Sequence, residues 1–410
     1  MKKLLALGLA ATIAVAGVGA LAGCTQGDDE LTVGFIALHD DNSTYDKNFL
    51  DAIREACANK GIDQDHLIIR TGIDETQECY DAAADLVDQG CDVIFADSFG
   101  HEQFMLQAAK EFPDVEFCHA TGTLAHTENV ANYHNAFASI YEGRYLAGVA
   151  AGMKLVEMEK AGEIEAANRD TDGNVKIGYV GAHPYAEVIS GYTSFFLGVR
   201  SVVEEETEHS VVMEVTYTSS WYDLQAENDA ARLLISRGAA LISQHADSMG
   251  APNACEDAGV PNVSYNGSTA ASCPDTYIVS SRINWVPYFE YMIDCVANGD
   301  AIDTDWTGTM QTGSVVLTEV GEAAAEGTQE KIDAVKAQLL AGTLHVFDTT
   351  KFTVGGEQLT SYMADVNTDD AYTPDTEAVA DGYFHESEYR SAPYFDVRID
   401  GITELTEANS

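Results

Sequence analysis

Positive charge is scarce in this chain: 21 Lys and Arg stand against 67 Asp and Glu, a formal net charge of −46 over 410 residues. A field of that sign repels nucleic-acid phosphates and anionic headgroups, which argues against DNA, RNA or polybasic membrane contact. Catalytic signatures are missing as well, with no G-x-S-x-G nucleophile elbow, no G-x-x-x-x-G-K-[ST] phosphate loop and no H-E-x-x-H zinc motif. The eight Cys lack zinc-type pair spacing and the nine Met are not clustered. The eleven His, among them His101, His119, His126 and His134, do not place two imidazoles on one helix turn or strand face. No metal site and no cofactor are therefore expected. After the first two dozen residues no apolar run approaches membrane length.

That leading segment has its own pattern. Lys2 and Lys3 precede an apolar run from Leu4 to Ala22, then Leu21-Ala22-Gly23-Cys24 and the polar stretch Thr25 to Glu30. The arrangement reads as a cleavable export signal over residues 1–23, similar to a bacterial lipobox, with Cys24 as a lipid-bearing N-terminus and residues 24–30 as a tether. A single membrane-spanning helix is the competing reading, and the position of Leu-Ala-Gly-Cys favours cleavage. Seven Cys then remain, an odd number; Cys79 with Cys91 and Cys255 with Cys273 could pair across short loops, and spacing does not decide the connectivity.

From Leu31 onward short β-rich runs alternate with helical patterns. Thr32–Leu38 is a buried-type strand, and Asn48–Asn59 carries Phe49, Ala52, Ile53 and Ala56 at helical spacing before Gly61. Leu67–Thr71, a helix over Gln77–Gln89, Val93–Ala96, a helix over Glu102–Glu111 and Val115–His119 repeat the unit. A long helix from Ile140 to Met158 and a surface insertion over Lys160–Asn174 precede a second series, beginning at Val175–Val180 and continuing to Asn262–Tyr265. Near-continuous apolar strands alternating with helices predict two doubly wound, parallel-sheet α/β lobes. The expected division is 31–138 plus about 265–310 in the first lobe and 139–264 plus about 311–410 in the second, with Met363–Tyr383 as an acidic surface wrap.

Ligands of such sheets bind beyond the carboxyl ends of the strands. The residues there are Tyr45-Asp46, Asp97-Ser98-Phe99-Gly100, His119-Ala120-Thr121-Gly122, Trp221-Tyr222-Asp223, Gln244-His245-Ala246-Asp247-Ser248 and Tyr265-Asn266-Gly267-Ser268. Aromatic faces and hydrogen-bonding edges in one crevice suit a flat heteroaromatic ligand, with Phe99 and Trp221 as stacking jaws and Asp247 and Asn266 as edge partners.

Several stretches, taken in order, resemble the basic membrane protein (BMP) family of ABC-transporter substrate-binding lipoproteins: Ser98-Phe99-Gly100, Ala109 to Val115, His119-Ala120-Thr121-Gly122, Tyr141-Glu142-Gly143-Arg144-Tyr145-Leu146-Ala147-Gly148, Glu187-Val188-Ile189, Trp221-Tyr222-Asp223, Gln244-His245-Ala246-Asp247-Ser248 and Asn284-Trp285. The resemblance covers roughly Leu31 to Gly321 and implies a type I periplasmic-binding-protein fold, two lobes joined by a multi-strand hinge. It implies a purine nucleoside as ligand or, in the branch with Gln-His-x-Asp-Ser, a nucleobase. Ligand contacts are then expected at Tyr45, Asp46, Ser98, Phe99, His119, Trp221, His245, Asp247, Asn266, Ser268 and Asn284. Purine-nucleoside binders of the family usually carry Asp, which holds the ribose, where this chain has Asn266, and a lysine expected shortly before Asn284 is replaced by Arg282 or Ile283. Both departures favour a free base. The expectation is a monomeric, non-enzymatic, lipid-anchored binder that serves an ABC permease and ATPase; a sugar or signalling-molecule ligand, a nucleoside-processing enzyme and a surface receptor are the alternatives.

Overall fold

The computed structural model describes residues 30–366 and 373–405, so the expected leader and Cys24 lie outside the described residues. The first series runs β1 (Val33–Ile36), α1 (Thr44–Lys60), β2 (Leu67–Arg70), α2 (Gln77–Asp88), β3 (Val93–Ala96), α3 (Glu102–Glu111), β4 (Glu116–Ala120), α4 (Leu124–Glu128) and β5 (Tyr133–Ala138). The helix α5 (Ile140–Ala161) leads to β6 (Val175–Gly181), α6 (Ala186–Glu206), β7 (Val211–Tyr217), α7 (Leu224–Ser236), β8 (Ile242–Gln244), α8 (Gly250–Ala258), β9 (Asn262–Tyr265) and β10 (Tyr277–Ile283). Then follow α9 (Val286–Asn298), β11 (Asp305–Gly308), β12 (Val315–Leu317), α10 (Thr328–Leu340) and, late in the tail, β13 (Ile402–Glu404).

All four residues of β1 and of β3 are buried, as strands covered by helices on both faces require. The helix α1 starts four residues before the expected Asn48. Ser43 caps it by accepting from the Asp46 amide, while its hydroxyl donates to the Asp46 carboxylate. The cap brings Tyr45 and Asp46 into the first turn, above the end of β1.

Two sheets result. The first has six strands in the order β11-β5-β4-β3-β1-β2, and its paired strands are parallel. The second has seven, β12-β10-β9-β8-β6-β7-β13, parallel except for the antiparallel pair β10 and β12. Strand order reverses direction between β1 and β3 in one sheet and between β6 and β8 in the other, which sets a crevice at each carboxyl edge. The change of sheet falls later than the expected boundary near residue 265, because β10 continues the second sheet beside β9 and the chain reaches the first sheet only with β11. It returns with β12. These passages are the multi-strand connection between the lobes.

The crossover helix α5 packs on α6 at very short range: a Cβ on Gly148 would lie 2.1 Å from the Phe195 carbonyl oxygen. Only glycine lets the two backbones approach this closely. The expected insertion after α5 is docked rather than free, since Asn168 Nδ2 donates to the Gly238 carbonyl at 3.1 Å. The segments on either side of Met363–Tyr383 are built into the fold. Phe347 stacks on Phe395 at 4.1 Å beside buried Phe384, and Ser391 N donates to Asp305 on β11 while β13 joins the far edge of the second sheet. The seven remaining cysteines are buried and unpaired, so neither suggested disulfide forms. Among the described residues no helix is long and apolar enough to cross a membrane.

Candidate functional site

A narrow cavity lies where the carboxyl edges of the two sheets face each other. Leu38, His39, Tyr45, Asp46, Ser98, Phe99 and Thr121 line it from the first sheet, and Glu187, Trp221, His245, Asp247 and Tyr265 from the second. The two sides touch around it. Thr44 N and Thr44 Oγ1 both donate to the Asp247 carbonyl at 3.0 Å, the His39 and Tyr222 rings are 5.3 Å apart, and Phe99 stacks on Tyr185 with centroids 5.0 Å apart and planes at 25°.

On the first-sheet side Asp46 is 1% exposed. Burial alone would push its carboxyl up, but hydrogen bonds from the His39 and Ser43 side chains and the His39 amide (2.7 Å) outweigh it and hold the group below the usual carboxylate value. Asp97 behaves oppositely. Complete burial and then the Asp46 charge drive it well above the carboxylate range, and the Leu38 amide at 3.2 Å only partly offsets them. Tyr45 Oη donates to the Asp97 carbonyl at 2.8 Å. The loop after β3 is fixed by Glu75, whose Oε1 accepts from Ser98 Oγ and Gly100 N, both at 2.7 Å.

On the second-sheet side Asp247 is also raised well above the carboxylate range, by burial and then by the charges of Asp46, Glu227 and Glu187, with Arg144 opposing. A carboxyl in the acid form presents one donor and one acceptor side by side. Its side-chain neighbour Asn266 donates at a long 3.4 Å. His245 stands between Arg144 Nη2, 2.9 Å from its Nδ1, and Glu187 Oε1, 3.3 Å from its Nε2. Burial first and the Arg144 charge second lower the imidazole's pKa and favour the neutral ring. Trp221 meets the His183 ring edge-on at 5.0 Å.

Of the residues expected at the site, Tyr45, Asp46, Ser98, Phe99, Trp221, His245 and Asp247 converge on the cavity and four do not. His119 lies beneath it with Nε2 2.7 Å from the Ser98 carbonyl, and burial drives its pKa down to about 3. It supports the Ser98 loop as a neutral donor. Asn266, at φ 63°, turns the chain after β9 and directs its amide to Asp247. Ser268 donates to Glu319 at 2.6 Å, and Asn284 donates to the Gly313 carbonyl at 3.2 Å and accepts from Val286 N at 3.3 Å at the start of α9. Nor do Phe99 and Trp221 form a pair of jaws around empty space: Phe99 is 39% exposed and stacks on Tyr185 at the mouth. Leu38, His39 and Glu187 are lining residues that strand-end reasoning passes over, while Thr121 and Tyr265, which it places at strand ends, join the lining without having been among the expected contacts. Among the described residues no group of three His, Cys, Asp or Glu side chains is placed to hold a metal ion.

The family described as Bmp, ABC transporter substrate-binding protein PnrA-like, matches residues 33–349. A Haloferax volcanii protein whose name provisionally assigns it as an ABC transporter glucose-binding protein, TsgA13, is 32% identical over 262 residues, 64% of this chain and only 60% of that relative's length. The Brucella abortus purine-binding protein BAB2_0673 is 28% identical over 348 residues, 82% of this chain and 91% of that one. The solved structure of an ABC transporter solute-binding protein from Conexibacter woesei superimposes with a TM-score of 0.57 at 23% identity, over 77% of this chain and 98% of that one, which establishes the fold.

Proposed function

This chain belongs to the PnrA-like Bmp family of ABC transporter substrate-binding proteins, and we propose that it captures a purine-type ligand, a free base in preference to a riboside, in the cavity between its two sheets. The carrying observation is the pairing of aromatic surface from Trp221 with the buried Asp247 carboxyl, whose pKa burial raises and which in its acid form offers a donor beside an acceptor. That pattern matches the edge of a nitrogen heterocycle, where an N–H adjoins a bare ring nitrogen. The Brucella relative, aligned over most of both chains, is named for purine binding. Asn266 supports the base over the riboside, since its amide is engaged with Asp247 and offers no carboxylate to ribose hydroxyls.

Binding needs no bond-making. Contacts that exist only when both sheets face the ligand favour the closed arrangement by their differential free energy, and an ABC permease and ATPase take up what is released. In this proposal the protein works outside the cytoplasm as a monomer held to the membrane by a lipid on Cys24.

A thermal-shift panel of adenine, hypoxanthine, guanine, adenosine and glucose tests the assignment. A ligand at 100 times its Kd stabilises by about 2.7 kcal/mol. Stabilisation by a free base, with less by adenosine and none by glucose, is expected. A shift with glucose alone would overturn the purine assignment and carry over the name of the Haloferax relative instead.

A further inference from the structure

We infer that Glu187 is the group that accepts an exocyclic N–H of the bound base, and that Arg144, which never reaches the cavity, positions it through His245. The inference rests on the purine-type reading above and specifies which member of that class is preferred, an aminopurine.

Arg144 sits one turn into α5 and is 1% exposed. Its Nη1 donates to the Gln244 carbonyl at 3.1 Å, its guanidinium carbon lies 3.2 Å from the centre of the Tyr265 ring, and its Nη2 is 2.9 Å from His245 Nδ1. A guanidinium can only donate, so His245 Nδ1 must be the acceptor. A neutral imidazole with a bare Nδ1 carries its hydrogen on Nε2, and that hydrogen points at Glu187 Oε1 across 3.3 Å. Arg144 thereby fixes the tautomer that turns His245 into a donor toward Glu187. With the opposite tautomer, two lone pairs would face each other at that distance.

Glu187 itself enters the cavity from the first turn of α6. Its bond to His245 uses Oε1 and leaves Oε2 to accept from a ligand. A base that offers an amino group there is accepted; one that offers a carbonyl oxygen sets acceptor against acceptor. Asp247, whose pKa burial raises, supplies in its acid form the donor that Glu187 does not. The close approach of α5 and α6 at Gly148 keeps Arg144 and Glu187 in register from opposite sides of His245.

Binding of adenine, 2-aminopurine and unsubstituted purine to the purified wild-type protein and to Glu187→Gln tests the idea as a cycle between one side chain and one ligand amine. The substitution is expected to weaken the preferred aminopurine about 10- to 100-fold and purine less than about threefold, the scale of a hydrogen bond to a charged group. Arg144→Met should reproduce the selective loss, and Arg144→Lys, which keeps an N–H donor, should restore part of it. In the wild type, ¹⁵N NMR of His245 should show Nε2 protonated and Nδ1 bare, a readout that needs no variant to fold. Equal losses for aminopurines and purine, no loss at all, or the opposite tautomer would each overturn the inference while leaving purine binding intact. Failure of all three bases to bind the wild type would overturn the purine reading and this inference together.

Discussion

The two walls of the cavity are built alike and finished differently. On the first-sheet wall the lining polar groups are engaged with one another, Asp46 accepting from His39 and Ser43, Tyr45 donating to the Asp97 carbonyl and Ser98 donating to Glu75, while the unpartnered Asp97 Oδ2 and His119 Nδ1 lie behind the lining. On the second-sheet wall capacity is left over. Tyr265 Oη is buried without a partner, as is Nε of Arg144 behind it, and the side-chain contacts of Asp247 and Glu187 are long, 3.4 and 3.3 Å. A buried polar group with unused bonding capacity gains most when a ligand completes it. The first wall therefore sets the shape of the site, and the second wall selects what enters it.

Substitutions separate these roles, beginning with the one that should disturb the second wall from outside. Gly148→Ala forces α5 and α6 apart, because the new methyl would meet the Phe195 carbonyl at 2.1 Å. A stability loss of about 3 kcal/mol or more is expected in a denaturant melt, with weakened binding because the two helices carry Arg144 and Glu187. An unchanged melt would show that the helix pair yields without cost.

Asp46→Ala should cost about 2–3 kcal/mol of stability by removing the charge-assisted bonds from His39 and Ser43. Because the folded-state pKa of Asp46 is lowered, its contribution is complete above the unfolded value of about 4 and disappears as pH falls through the folded one. Melts at neutral pH should thus show a gap from wild type that closes in strong acid. A gap independent of pH would assign the loss to packing.

Trp221→Ala acts on the opposite wall and should lower ligand affinity by about 1–3 kcal/mol, the usual worth of one stacked base, with little change in Tm. Titration calorimetry beside a melt distinguishes that result from a fall in Tm at constant affinity, which would make Trp221 a packing residue. The smallest effect is expected for Asp247→Asn. With its folded pKa raised, Asp247 costs stability as pH climbs above the unfolded value of about 4, so the amide should stabilise the ligand-free protein at neutral pH and not in acid. The same variant should bind the base more weakly. If it were less stable at neutral pH, the Asp247 carboxylate would have to be engaged more strongly than its 3.4 Å contact suggests.

The same contrast explains what the amino-acid sequence discloses. Strands with uninterrupted apolar residues, such as Val93–Ala96, are legible because burial on both faces leaves no alternative. The strand β5 escapes notice because His134 and Asn135 break its apolar pattern, yet both are buried and bonded, Asn135 Oδ1 to the Ala125 amide at 2.8 Å and His134 Nε2 to Glu116 at 2.8 Å. Strand-end logic finds Ser98, His245 and Asp247, which stand within three residues of the ends of β3 and β8, and Tyr45 in the first turn of α1. It misses Glu187, six residues beyond β6 in the first turn of a helix, and Arg144, which reads locally as one polar residue in an apolar helix. It overreaches at Ser268, whose hydroxyl goes to the Glu319 carboxylate, as the family resemblance does at Asn284, whose amide holds the Gly313 carbonyl.

The most direct test of this division of labour is a crystal structure of the protein grown with adenine and, in parallel, with glucose. Electron density for the adenine ring against Trp221, with its amino group within hydrogen-bonding distance of Glu187 and a ring nitrogen facing Asp247, is the predicted result. Glucose in the cavity with adenine absent, or adenine held through Asp46 and Ser98 with the second wall untouched, would contradict it.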